Sequence, residues 1–216
     1  MAYQYLATSV AGFVQQLAVS YIVNGYYFYV TGQIPESKDP ALTDQKIVAQ
    51  YGVEVSKWTR VRRKAAGQAN VQYLRFDRFY AILATHGTND FFTAEAKRLK
   101  DIRRSPIQFM GYSIGCRRAR GGGNYHASVR INRDAYKELK IRFTGVAAKR
   151  TVEQLYCDLR HLPFEPYAPV RSQLCGLLRA INHCRSLAGL EAVPWEALRL
   201  RRNLVQPFRP MQGTWQ

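Results

Sequence analysis

Asn70 to Gly87, NVQYLRFDRFYAILATHG, holds two apolar-rich runs on either side of Asp77-Arg78. Runs of this length around a two-residue turn predict a β-hairpin. With the turn there, Gln72, Leu74, Phe76, Phe79, Ala81, Leu83 and Thr85 share one face, and Tyr73, Arg75, Tyr80, Ile82 and His86 share the other. Both faces carry apolar groups, so the hairpin is expected to be packed on both sides. Its tip presents Arg75 and Arg78 as phosphate contacts.

The surrounding charge sets the class of partner. The 216 residues carry a formal charge of +17, with 32 Lys and Arg against 15 acids. Between Lys57 and Arg150 there are 22 basic residues and six acids, so the excess is confined to one block. A charge spread for solubility would not be so confined, and a polyanion-binding face would. At 47% apolar residues, the chain can also bury a core.

Upstream of the hairpin, PALTDQKIVAQYGVEVSKWTRVRRKAAG predicts two helices back to back. Leu42, Ile47, Val48 and Tyr51 mark the inner face of the first, Gly52 interrupts it, Ser56 caps the second, and Trp58 and Val61 mark the second's inner face. The run from Ile47 to Arg63 resembles a helix-turn-helix, and the hairpin after it gives the order of winged helix-turn-helix DNA-binding proteins. Val48 stands where that family usually has a small residue. The resemblance implies a recognition helix that turns Lys57, Arg60, Arg62, Arg63 and Lys64 toward DNA.

Downstream, TAEAKRLKDIRRSP reads as a basic helix bearing Arg103 and Arg104. IQFMGYSIGC, the loop RRARGGG and NYHASVRI then read as a second hairpin. Its strand period places Met110, Tyr112, Ile114, Cys116, Tyr125, Ala127, Val129 and Ile131 on the core side. Gly111, Ser113, Gly115, Arg117, His126, Ser128 and Arg130 form an open face that admits a phosphate backbone. Arg117, Arg118 and Arg120 lie at the loop. The loop lacks the Lys-Ser/Thr ending of a P-loop. Helix and hairpin thus occur twice, a layout similar to that of plasmid replication initiators; it implies service in replication, transposition or the regulation of a mobile element.

The expected fold class is α+β: helices, two antiparallel hairpins in winged-helix-like units, and a helical C-terminal part. Residues 1–131 form the basic nucleic-acid-binding region, with the helix-turn-helix near 41–66 and hairpins near 70–86 and 107–131. Residues 132–206 form a helical region, with one helix over Asn132 to Leu162 and another over Ala168 to Gly189 that turns Arg171, Arg179 and Arg185 outward. LRLRRNLV comes next as a strand-like run, and 207–216 is a loosely ordered tail.

The first 35 residues carry no charge, yet Val10, Phe13, Val14, Leu17, Ala18, Tyr21 and Ile22 recur at helical spacing with Gln15 and Gln16 among them. One buried helix face is therefore expected, with no membrane partner and a cytoplasmic location. Cys116, Cys157, Cys175 and Cys184 have no zinc-site spacing and read as buried or free thiols of a reducing compartment. No metal or cofactor is expected.

The binding partner is nucleic acid, with DNA favoured and RNA as the alternative, as a homodimer or larger nucleoprotein assembly. Tyr73, Tyr80, Tyr112 and Tyr125 are the stacking candidates for an RNA- or single-strand-binding component of a ribonucleoprotein. A nuclease or strand transferase would draw on His86, Asp90 and His126, but no catalytic set is assigned. Asp134 and Glu138 fall on an expected helix, and the chain lacks the His-x-His pair of relaxases.

Overall fold

The computed structural model describes residues 3–119 and 121–209. The chain is α+β, with seven α-helices and two antiparallel sheets among these residues. It forms two compact units. The first takes the chain up to Ile107, Ile114–Ala127 and the stretch from Val205; the second takes Gln108–Ser113 and Ser128–Leu204. The division is interleaved along the chain, because the second hairpin contributes to both units.

In the first unit, α1 (Val10–Gln15) begins at Ser9, whose hydroxyl accepts from Gly12 N at 3.0 Å. It runs on as π-helix through Gln16–Tyr21 and as a 3-10 turn through Ile22–Asn24. β1 is Phe28–Gln33, α2 Pro40–Gln50, α3 Lys57–Ala65, β2 Val71–Phe76, β3 Phe79–Ala84, α4 Asp90–Ala94 and β4 Lys100–Asp101. The sheet order is β2-β3-β1-β4. Phe76 pairs with Phe79, so Asp77-Arg78 is the two-residue turn that the sequence predicts, with Asp77 at φ 50°.

Both faces of the hairpin are covered. On one, Phe13 of α1 meets Phe79 edge to face at 5.7 Å. On the other, Tyr73, Ile82 and Val30 pack in a cluster with Tyr51, Val53 and Phe91. β2–β3 is consequently no projecting wing. β1 flanks β3, and Tyr5–Ala7 bonds along the outer edge of β2 at Arg75, through Arg75 N to Tyr5 O at 2.8 Å and Ala7 N to Arg75 O at 2.7 Å.

α2 attaches to this sheet through charge. The carboxylate of Asp44, 1% exposed, takes the Arg75 guanidinium (2.7 to 3.0 Å) and the Tyr73 hydroxyl (2.6 Å). Leu42, expected on the inner face, is instead exposed. The sheet side is formed by Asp44, Ile47, Val48 and Tyr51.

The stretch expected to be a basic helix after the hairpin is mostly not helical. α4 ends at Ala94, and Lys100–Asp101 pairs with Tyr29 and Phe28 of β1. Asp101 then accepts from Arg103 N at 2.9 Å, a side-chain-closed turn that competes with helix. The helix-then-hairpin order is therefore not repeated.

The second sheet has the order β5 (Ile107–Phe109), β6 (Tyr112–Arg118), β7 (Tyr125–Ile131). The run expected as one strand is split by a tight turn at Met110 (φ 44°) and Gly111 (φ 77°), the paired left-handed conformation of two-residue hairpins. Met110 is thereby exposed and leaves the core side.

In the second unit, α5 (Arg133–Val146) and α6 (Val152–Arg160) replace the single helix expected over 132–162. The break falls at Thr151, which forms a capping box with Gln154. α7 (Ala168–Leu187) packs Leu174, Leu177 and Ile181 inward, as its period predicts. The Gln173 amide bonds both Ile131 N and Ile131 O at 2.9 Å, continuing the edge of β7. Arg185 is 3% exposed and donates to Ala147 O and Arg150 O at 2.8 Å, so it closes the α5–α6 break and does not face outward.

The run Leu198 to Val205 forms no strand. Of the expected tail, Pro207 and Arg209 are bonded through their carbonyls to Thr8, while 210–216 lies outside the described residues. No described helix is long and apolar enough to cross a membrane. The four cysteines are free, with Cys116 buried.

Candidate nucleic-acid interface

α2 ends at Tyr51, and Gly52 (φ 53°) turns the chain where a side chain would be strained. Tyr51 and Val53 are buried on either side of it, which fixes the direction in which the chain leaves the turn toward α3. Ser56 then caps α3, accepting from Thr59 N at 3.1 Å.

α3 buries none of its residues. Trp58 and Val61, expected to face inward, are 75% and 54% exposed. Half-buried Thr59, Arg60 and Arg63 take the inner side. Arg63 reaches Gly52 O at 3.3 Å, and Arg60 reaches Val53 O at 3.5 Å and lies over the Tyr3 ring. The physical reason is the turn: the carbonyls of Gly52 and Val53, after the end of α2, accept from the guanidinium groups and draw them inward. Trp58, Val61, Arg62 and Ala65, at helical spacing, are left as an outward stripe, with exposed Lys57 and Lys64 beside it.

Lys64 meets the second hairpin at a cleft of about 670 Å³ within the first unit. Arg103 from the turn after β4, Arg118 from the end of β6 and His86 after β3 line it with Lys64. Among the described residues, no carboxylate lines it. The aromatic walls are Tyr27, Phe28 and Tyr125, with Tyr27 and Tyr125 rings 5.6 Å apart. The Arg103 guanidinium lies 4.9 Å over Tyr27 and 5.7 Å over Tyr125, and that of Arg118 lies 5.5 Å over Tyr125.

Arg103 is held in this stack by Asp101, with bonds of 2.7 to 3.1 Å from Nε and Nη2. Burial works against the Asp101 carboxylate, yet the bonds from Arg103 outweigh it and hold the carboxyl below its ordinary range. The same bonds push the Arg103 guanidinium up. Gly122, Gly123 and Asn124 of the loop complete the rim.

The other predicted contacts separate into groups. Arg75 is buried against Asp44 and cannot meet a ligand. Arg78 folds onto the carbonyls of Pro35 (2.7 Å) and Lys38 (3.2 Å) and fixes the 35–38 loop. Arg104, Arg117 and His126 are exposed, Arg130 is half-buried, and Arg120 lies outside the described residues. The part of the predicted open face formed by Gly111, Gly115 and Ser128 is filled by the chain itself. A Cβ on Gly115 would stand 3.3 Å from Pro106, and one on Gly111 would stand 3.2 Å from the Phe164 ring; Ser128 is buried.

Of the side chains weighed for chemistry, His86 lines the cleft, whereas Asp90 opens α4 and His126 lies on β7. No group of three or more His, Cys, Asp or Glu among the described residues could hold a metal. Tyr73 and Tyr112 are buried, whereas Tyr80 and Tyr125 are half-buried; of these Tyr125 lines the cleft, with half-buried Tyr27 as its second tyrosine ring. Tyr27 was hidden from sequence reasoning by its uncharged neighbourhood. Comparison with protein-family models, with curated proteins and with solved structures finds no match to this chain.

Proposed function

We propose that this protein binds duplex DNA, with the outward stripe of α3 against the base edges and the tip of the second hairpin along the phosphates. The observation that carries this reading is the meeting of α3 and the hairpin at one acid-free cleft, where Lys64, Arg103 and Arg118 stand together. Three segments, from Lys64 to Arg118, thus share one basic surface, as a phosphate track requires. A helix that buries none of its residues is free to enter a groove about 12 Å wide. The resemblance to winged helix-turn-helix proteins enters as support for the helix pair, and the hairpin that reaches the ligand is the second one.

The aromatic walls of the cleft favour a second reading, an RNA- or single-strand-binding protein that stacks bases on Tyr27 and Tyr125. Anisotropy titrations of labelled duplex DNA, single strands and structured RNA at matched salt separate the two. Duplex DNA is expected to bind most tightly. Tighter binding of a structured RNA than of every duplex would replace the first reading by the second, and no binding of any of them would end both.

A further inference from the structure

Under α3 lies a second cleft, of about 430 Å³, that shares Asn24, Lys64 and Thr85 with the one at the hairpin. Its floor is neutral and polar. Asn70, Gln72 and Thr85 are 4%, 5% and 6% exposed. Gln72 accepts from Tyr3 at 2.8 Å and donates to Tyr26 at 3.3 Å, and Thr85 accepts from Asn70 N at 2.9 Å. Its rim is cationic, with Lys57, Arg60 and Lys64 on successive turns of α3.

Two polar atoms of residues that line this cleft have no hydrogen-bond partner although they are shut off from water: Asn70 Oδ1, an acceptor, and Arg60 Nε, a donor. The residues adjoin, since Asn70 Nδ2 donates to Arg60 O at 2.9 Å. Buried groups are seldom left unmatched, because each forfeits its hydration without return. A ligand that offers a donor beside an acceptor answers both after a small movement of the Arg60 side chain. A carboxylate or phosphate there would answer Arg60 Nε but set its charge against the Asn70 side-chain carbonyl oxygen and lose its own hydration, so the negative group belongs at the rim.

We infer that this cleft takes one nucleobase out of its stack, its edge on Asn70 and Arg60 and its phosphate on Lys57 and Lys64. Tyr21 and Tyr26 line the wall. This rests on the nucleic-acid reading, but the same chemistry fits a free mononucleotide. Any base edge with a donor next to an acceptor meets this requirement; adenine and cytosine, each with an exocyclic amine next to a ring acceptor, serve as the test bases.

The test compares a fully paired duplex with the same duplex carrying one bulged adenine or cytosine, and titrates AMP and CMP separately by calorimetry. The bulged duplex is expected to bind at least about tenfold tighter, because an unpaired base costs least to extrude. Ser20→Phe, which fills the cleft from its wall, is expected to bring that ratio to about one. Should this variant melt, Asn70→Ala serves for the same comparison. Equal affinity for both duplexes together with no AMP or CMP binding would overturn the inference while leaving duplex binding in place. AMP or CMP binding without duplex preference identifies a free nucleotide as the occupant, and mononucleotide binding without any DNA binding would remove the proposed function but keep the cleft. A tenfold preference that persists in both variants would also overturn the inference.

Discussion

Asp44 and Trp58 show how single side chains in neighbouring helices take opposite parts. Asp44 has a carboxylate buried against Arg75 and Tyr73, and its loss would leave a guanidinium uncompensated inside the sheet. Asp44→Ala is expected to lower stability by about 3–5 kcal/mol, read from the urea midpoint, because one unpaired buried charge costs more than the pair contributes. Trp58 is exposed, so Trp58→Ala is expected to leave that midpoint within about 0.5 kcal/mol. Beside it, Arg62→Ala is expected to weaken binding to a preferred site by about 1–3 kcal/mol in anisotropy titrations, and binding to random duplex by much less. Equal loss on both would assign Arg62 to phosphate.

At the scale of elements, α3 and the β6–β7 hairpin differ in what they bring to a ligand. The hairpin ends in exposed Arg117 and Arg118 and a glycine-rich loop, and so brings charge for phosphates. Replacing both arginines by alanine is expected to lower affinity for all sequences alike and to reduce the slope of log K against log salt by roughly 2, near 0.9 per phosphate contact. In the second unit, the Thr151 capping box starts α6 where the chain would otherwise continue α5. Thr151→Ala is expected to cost about 1 kcal/mol in thermal or urea unfolding, with DNA affinity unchanged.

Across the whole molecule, buried tyrosines set the alkaline limit. Burial pushes the hydroxyl of Tyr29 up to about 12, and those of Tyr21, Tyr73 and Tyr112 upward as well. Their unfolded hydroxyls ionise near pH 10. The folded chain holds these protons more tightly, so the stabilisation is complete below about pH 10 and is lost as pH rises toward 12. The urea midpoint is expected to be flat from pH 7 to 9 and to fall steeply above 10; a flat profile to pH 12 would mean that these hydroxyls are already solvated.

Local pattern by itself determined the α+β class, the Asp77-Arg78 turn, the helix pair around Gly52 and the period of α7, because each depends on spacing or on one turn within a few residues. The confinement of charge to one block was equally legible, since it is a count along the chain. Tertiary structure alone decided where that charge points. The turn carbonyls of Gly52 and Val53 drew Arg60 and Arg63 inward and left Trp58 outward, Asp44 took Arg75 out of reach from 31 positions away, and Pro106 and Phe164 filled part of a face whose small residues suggested an open one. Such outcomes hinge on which distant group arrives first at a surface. Periodicity carries no record of that, because a helix or strand repeats in the same way whether its polar side meets water, a ligand or its own chain.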